Sequence, residues 1–319
     1  MNLPCRICSS DAPHAFYRCR EKMFGWGDEF AYFECDGCGC LQIATIPPDL
    51  GRFYPANYYS FNVQPVPQSG LKSRLAAIRD LCVATNLLGR FITPLISSRP
   101  DLVALARVPA RKHARILDVG CGRGFLLSIL HRAGFDRVGG IDPYLPGDIQ
   151  VAPGLCVRKA ALGQINEQFD LIILNHVFEH IESGAEMLAL CEQHLSPQGT
   201  ILMRFPVAGS EAWETYRENW LQLDAPRHLF LHTRKSFQLL AARIGLEVKN
   251  WICDSDAAQF WASELYQKGI PLIDRSGVMV NPADYFTKAQ MKQFIGKSRI
   301  VNANGRGDQV SVLLTKKCS

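Results

Sequence analysis

Arg115-Ile116-Leu117-Asp118-Val119-Gly120-Cys121-Gly122-Arg123-Gly124-Phe125-Leu126-Leu127 is the stretch on which the fold turns. A short apolar run ends at Asp118, glycines follow at 120, 122 and 124, and an apolar helical spacing starts at Phe125. That order predicts a buried strand, a glycine turn and the start of a helix. Glycine lets the backbone come close to a ligand and adopt positive φ. The first amides of the following helix offer a polar cradle.

The spacing around the turn narrows the reading. The next apolar segment, Val138 to Ile141, ends at Asp142. A carboxylate about 20 residues beyond a glycine turn, at the end of a second strand, is placed to hold ribose hydroxyls. The glycines run G-x-G-x-G rather than the G-x-G-x-x-G of dinucleotide-binding turns.

Downstream, apolar segments alternate with helical ones. A helix is predicted over Phe125–Ala133, stopped by Gly134, and a third strand over Gly154–Val157. Phe169 to Leu174 is a fourth strand, apolar enough for burial on both faces. Ser183 is placed to cap a helix reaching Leu195, Ser196–Gly199 reads as a turn, and Thr200–Phe205 as a fifth strand. Thr233 caps a helix ending at Gly245, and Leu246–Trp251 is a sixth strand. Gln309–Thr315 forms a last strand with no helix after it. The alternation implies a Rossmann-like, doubly wound parallel α/β sheet.

The N-terminal part reads differently. Cys5-Arg6-Ile7-Cys8 and Cys35-Asp36-Gly37-Cys38 are two C-x-x-C pairs, with hairpin strands expected near residues 15–18 and 30–34. Two such pairs can give Cys5, Cys8, Cys35 and Cys38 to one structural, tetrahedral zinc ion, which would supply folding energy that so small a unit lacks. Free cysteines or a redox pair are the plainer alternatives, and Cys19, Cys40 and His14 are possible substitute ligands. The aromatic run Phe53 to Tyr59 is read either as packing between units or as lining of a substrate cleft. Residues 62–70 read as a linker. Leu71 to about Leu105 has helical spacing broken by Pro94 and Pro100, as expected of helices over the core domain, capping the cleft. The expected organisation is therefore 1–65 for the zinc unit, 66–110 for the linker and capping helices, and 111–319 for the main domain.

The 319 residues are 47% hydrophobic and 20% charged, with net charge +5 and no long basic run. That suits a soluble globular protein with one large core and room for a second small unit, and gives no footprint for nucleic acid. No signal core or run of about 18 apolar residues is read, and the apolar stretch 81–96 is interrupted by Asn86, Arg90 and Pro94. With 12 cysteines, several isolated among apolar residues, a reducing cytoplasm is expected and a disulfide scaffold is not.

Taken together these motifs resemble class I S-adenosylmethionine (SAM) dependent methyltransferases with an N-terminal zinc-binding region, a group that includes enzymes of sugars and polysaccharide precursors. Asp118 to Gly124, Asp142, F-D-L-I-I-L-N-H-V-F-E-H-I at 169–181, Ser196–Gly199, Tyr58-Tyr59, Pro226-Arg227-His228 and the four cysteines carry the resemblance. It implies SAM as cofactor, methyl transfer to a hydroxyl or carbon of a carbohydrate-linked small molecule, and a last strand inserted antiparallel beside the sixth. The cofactor set would be Asp118, Gly120, Cys121, Gly122, Gly124, Asp142, Pro143, Ala161, Asn175 and His176. Sugar C-methyltransferases of this type carry Glu-His where this chain has Arg227-His228, and a further C-terminal domain. These departures count against C-methylation and put O-methylation at least on a par with it.

The candidate catalytic residues are His228, as the base in a loop before the Thr233 helix, with His176, His180 and Glu179 after the fourth strand. On a helical turn His176 and His180 would share a face and could bind metal, with no third ligand evident; pocket shaping is the alternative for Glu179 and His180. Arg227 is read as a holder of a substrate phosphate or carboxylate, or as a surface ion pair. Competing functions are a nucleic-acid or protein methyltransferase, a nucleotide-dependent oxidoreductase, and an inactive zinc adaptor.

Overall fold

A strand buried on both faces needs a neighbour on each side and helices above and below. The computed structural model, which describes residues 3–55, 58, 64–66, 70–85, 100–108, 112–274 and 276–317, supplies both. Tyr59, Asn86, Arg90, Pro94, Arg111 and most of the expected linker lie outside the described residues.

In chain order the elements are β1 (Ala15–Arg20), β2 (Glu29–Glu34), β3 (Leu41–Ile43), α1 (Leu71–Ala84), α2 (Pro100–Leu105), β4 (Ile116–Val119), α3 (Phe125–Arg132) and β5 (Val138–Ile141). There follow β6 (Ile149–Ala152), β7 (Leu155–Arg158), β8 (Phe169–Asn175), α4 (Gly184–His194), β9 (Leu195–Pro206), α5 (Glu211–Tyr216) and β10 (Phe230–Leu231). The chain continues with α6 (Arg234–Arg243), β11 (Leu246–Cys253), α7 (Ala258–Gln267), α8 (Lys288–Ala303) and β12 (Gln309–Lys316).

The central sheet has the order β11-β12-β9-β8-β4-β5-β7-β6. From β7 to β9 the strands run parallel, and β12 lies antiparallel between β9 and β11. The Rossmann-like fold and its reversed last strand are thus as expected. Side-chain alternation builds the two faces. Leu117, Val119, Ile172, Leu174, Ile201, Met203, Val312 and Leu314 meet Phe178, Leu188, Phe237 and Leu240 on one side. Ile116, Leu171, Ile173, Leu202 and Leu313 meet α1, α2 and α3 on the other. Buried Asp80 of α1 accepts from Arg132 of α3 at 2.7 Å, tying those helices together. Strand order reverses between β4 and β8, and ligands of such sheets bind outside the carboxyl ends of the strands at that point.

Some local expectations change. Residues 196–199 do not form a separate turn. They bulge from one continuous strand, because Phe169 pairs with Leu195 and Leu171 already pairs with Thr200. Ser183 stands at the N-cap of α4 but its side chain makes no capping bond. Thr233 does cap: its Oγ1 accepts from Ser236 N at 3.1 Å, and Ser236 Oγ accepts from Thr233 N at 2.9 Å. The third expected strand is β7, and β6 precedes it as an antiparallel edge.

Strands β1 to β3 form an antiparallel sheet whose fourth strand is β10, from the far side of the main sheet's sequence. Tyr32, Cys35, Cys38 and Leu41 share a core with Trp213, Trp220, Phe230 and Phe260. A unit of about 65 residues buries too little apolar surface alone, and borrowing this core offsets the deficit. Among the described residues no helix is long and apolar enough to cross a membrane.

Candidate active site

The glycine turn follows β4 directly. Gly120, Gly122 and Gly124 have φ of 69°, 53° and 80°. A Cβ on Gly120 would stand 2.6 Å from Val177 Cγ2, so both conformation and space demand glycine there. Gly124 begins α3 with no side-chain cap. Asp142, at the end of β5, accepts from Gly122 N at 3.0 Å through Oδ2 and from Tyr144 N at 2.9 Å through Oδ1. Each oxygen keeps a second lone pair for an incoming hydroxyl. Asn175 ends β8, and its Oδ1 is buried with no partner among the described residues. A glycine cradle, a positioned carboxylate and an orphaned amide oxygen therefore stand at the carboxyl ends of three neighbouring parallel strands, where ligands of such sheets bind, and they are of the kinds that fit the ribose and amino groups of SAM.

Other members of the expected cofactor set stand differently. The Cys121 thiol turns beneath the sheet's edge, into space that Gly140 leaves by lacking a Cβ, so only its backbone faces the turn. Pro143 is exposed beside Asp142. Ala161 is exposed too, and its N–H donates to Gln164 Oε1 at 2.8 Å. Asp118 is buried at the end of β4.

Beyond Asn175 the chain turns sharply. His176 has φ of 56°, a conformation uncommon for residues other than glycine, and Phe178–His180 is a single 3-10 turn. His176 and His180 consequently do not pair as they would on an α-helix. Both ring nitrogens of His176 are engaged: Nε2 accepts from Arg204 Nη1 at 2.8 Å, and Nδ1 lies 3.2 Å from Glu179 Oε1. Arg204 also donates to Asp254 Oδ2 at 3.0 Å. Arg204 is not among the residues expected from the sequence; its signal there is a charge inside the apolar run of β9.

His180 instead meets His228, with ring centroids 4.8 Å apart. The His180 Nδ1 lies 2.9 Å from the Arg227 carbonyl, and the His228 Nδ1 lies 2.7 Å from the Gln222 carbonyl. Burial, with the neighbouring His180, pushes the His228 pKa down to about 4, so the ring is neutral at neutral pH. Burial pushes Glu179 up, but the hydrogen bond from His176 and the nearby imidazoles outweigh it and hold the carboxyl near about 2. Tyr54 Oη reaches His180 Nδ1 at 3.1 Å, and Tyr54 packs edge-on against Tyr58. One end of the aromatic run thus borders the histidines, while Phe53 is wholly buried packing.

Arg227 holds no substrate. Its side chain is 0% exposed and donates to Asp224, Glu21 Oε1 and the Phe53 carbonyl. Both carboxylates raise its pKa above the ordinary value against the effect of burial.

Away from this crevice the four paired cysteines converge. Their Sγ atoms lie within 4.8 Å of one another, with Cys5–Cys38 at 3.7 Å and Cys8–Cys35 at 3.5 Å. Zinc–sulfur bonds of about 2.3 Å in a tetrahedron set sulfur atoms about 3.8 Å apart, so the arrangement fits that ion. Gln42 Nε2 donates to Cys5 Sγ at 2.9 Å, and Ile7 N does so at 3.3 Å. Ser9 and Gly39, each just past the second cysteine of its pair, have φ of 60° and 72° and close matching knuckles. Cys19, Cys40 and His14 stand outside the group. Cys40 packs near His232, and His14 stacks on Phe33.

Comparison with known proteins agrees with this architecture. A family model described as a methyltransferase domain matches residues 93–250, which run from before β4 into β11. The ubiquinone biosynthesis O-methyltransferase of Roseobacter denitrificans is 28% identical over 227 residues, covering 65% of this chain and 75% of the relative. The trans-aconitate 2-methyltransferase of Rhizobium leguminosarum is 33% identical over 115 residues, 34% of this chain and 45% of the relative. Among solved structures, the cyclopropane synthase MmaA2 from Mycobacterium tuberculosis is similar at a TM-score of 0.39, with 16% identity over 66% of this chain and 80% of that one. The methyltransferase-domain match falls on the part of the chain that carries the glycine turn and its acidic partner, and with the relatives it supports a SAM-dependent methyltransferase.

Proposed function

We propose that this enzyme methylates an oxygen of a small, ring-bearing molecule, a hydroxyl of a sugar or a related biosynthetic intermediate. The observation that carries the reading is the convergence of Glu179 and His180, in the turn that begins two residues beyond His176, with His228 from the loop before β10, beside Tyr54. Groups able to draw off a hydroxyl proton thus border the crevice assigned to the cofactor. The names of both curated relatives cited above describe small-molecule methyltransferases, one of them an O-methyltransferase. Tyr54 and Tyr58 offer aromatic faces on which a ring can lie.

In this reading Asp142 holds the ribose hydroxyls of SAM, the Gly120–Gly124 backbone approaches its methionine part, and Asn175 Oδ1 accepts from its amino group. When bound, SAM supplies a methyl group on a sulfonium that is already a good leaving group. The protein's own task is alignment and proton removal. His180, His228 and Glu179 form the acceptor end, and His176 with Arg204 holds Glu179 in place. Cys5, Cys8, Cys35 and Cys38 hold a structural zinc ion that stiffens the β1–β3 sheet against the main domain.

The test is a screen of nucleotide sugars, phenols and carboxylic acids with purified protein and SAM, reading methylated products by mass spectrometry and NMR. On the acceptor found, His228→Ala should lower kcat by about 10²–10⁴-fold, with S-adenosylhomocysteine affinity within a few-fold of wild type. Methylation at carbon or nitrogen only, or of nucleic acid or protein only, would overturn the proposal.

A further inference from the structure

One ring nitrogen from His180, one from His228 and one carboxylate oxygen of Glu179 lie within 4.8 Å of one another. We propose that these three side chains bind a divalent first-row transition-metal ion, in a second site apart from the four cysteines, with coordination positions left open toward the acceptor oxygen. The inference rests on the reading of this cluster as the acceptor end of the crevice.

Three features of the geometry support it. First, each histidine is oriented as a ligand. His180 Nδ1 faces the Arg227 carbonyl at 2.9 Å and His228 Nδ1 faces the Gln222 carbonyl at 2.7 Å. A carbonyl acceptor keeps the proton on Nδ1 and leaves the Nε2 lone pair for a metal, the usual outer support of a metal-binding imidazole. Second, Glu179 is half satisfied. Oε1 lies against His176, while Oε2 is buried and has no hydrogen-bond partner among the described residues. A buried carboxylate oxygen left without a donor costs free energy, which a cation would recover. Third, Asp224 does not compete. Its Oδ2 is 3.8 Å from His228 Nε2, but both its oxygens accept from Arg227.

The donor set selects the ion. Two imidazoles and one carboxylate suit zinc, iron, cobalt or manganese, whereas calcium and magnesium favour oxygen ligands throughout. Three protein ligands leave room for an exogenous oxygen. A hydroxyl reaching the ion would release its proton to water more readily than the free alcohol.

The test is metal stoichiometry of the full chain. Protein stripped with a chelator is loaded with Co²⁺ by dialysis, and bound cobalt is counted by elemental analysis and by absorption. Thiolate ligands give an intense sulfur-to-cobalt charge-transfer band that nitrogen and oxygen ligands do not. Wild type should bind about two ions per chain, one with the thiolate band and one without it. H228A and E179Q should each keep the thiolate band and bind about one ion. A wild type that binds only the thiolate-site ion, or variants that still bind two, would overturn the proposal. If H228A loses its fold, seen as lost S-adenosylhomocysteine binding, E179Q, which keeps the side-chain volume, decides alone. Methyl transfer measured in parallel separates this inference from the one beneath it. Full turnover with the thiolate-site ion alone removes the second site and leaves O-methylation standing. Two ions without oxygen methylation keep the site and remove the acceptor reading.

Discussion

Arg227 Nη2 donates to Glu21 Oε1 at 2.8 Å across 206 positions of sequence, and neither side chain is exposed. The same guanidinium donates to Asp224 at 2.6 and 2.9 Å, while Glu21 also accepts from the backbone N–H groups of Phe24 and Trp26, each at 3.0 Å. The pair fastens the N-terminal sheet to the loop that carries His228. It also sets the Arg227 carbonyl against His180.

Removing this guanidinium would leave two buried carboxylates without their counter-ion. Arg227→Met should therefore lower stability by about 3–5 kcal/mol, read by urea unfolding of the full chain. Arg227→Lys should recover only part of it, because an ammonium cannot reproduce the forked contacts to Asp224. A loss under about 1 kcal/mol for the methionine variant would show that the pair contributes little.

Asp142 bears a separate prediction. Its carboxylate already fixes the turn through Gly122 N and reaches Tyr144 N. Alanine there removes both the turn's anchor and the group assigned to the ribose. Hydrogen bonds to a charged group are worth about 1.5–3 kcal/mol, so Asp142→Ala should weaken S-adenosylhomocysteine binding by about 10–100-fold. Unchanged affinity in calorimetry would reject the assignment.

What could be read from the sequence was local. The strand, glycine turn and acidic partner are set by neighbours in the chain, and the apolar run of β12, buried on both faces, shows in its own residues. The catalytic-end geometry was not local. His176 and His180 suggested a helical pair, but the left-handed backbone at His176 breaks it. The actual partner, His228, arrives because β10 pairs with β3 and because Arg227, 47 positions beyond His180, is held by Glu21. An arginine in a loop gives no sign of burial when its partner lies at the other end of the chain. Helices α7 and α8, between the sixth and last strands, likewise carry no cue as plain as the glycine turn.

Asp308 predicts a pH effect on stability. Burial raises its carboxyl to about 6, although Trp220 Nε1 donates to it at 2.9 Å. Its folded pKa lies above the unfolded value near 3.9, so the fold favours the protonated form. That contribution is complete below about pH 4 and is lost as pH rises through about 6. Asp308→Asn has no such proton to lose. The Tm difference, variant minus wild type, should therefore become more positive between pH 4.5 and 7.5. A difference that stays flat across that interval would mean that Asp308 titrates normally.

The cysteine cluster gives the last prediction. Its four sulfurs lie within 4.8 Å of one another, two pairs of them at 3.5 and 3.7 Å, and N–H donors from Gln42 and Ile7 aim at Cys5 Sγ, as suits a thiolate under metal. Purified protein should carry about one zinc ion in this site, and the paired change Cys35→Ser with Cys38→Ser should abolish it. The damage should not stop at the N-terminal sheet. Cys35 and Cys38 share their core with Trp213 and Trp220, and Trp220 in turn bonds Asp308. Tryptophan fluorescence should therefore shift on loss of the metal, and the variant should unfold at lower urea than wild type. Zinc that persists in the Cys35→Ser, Cys38→Ser variant at the wild-type level, or zinc-free wild-type protein with unaltered fluorescence and stability, would remove the metal from the fold.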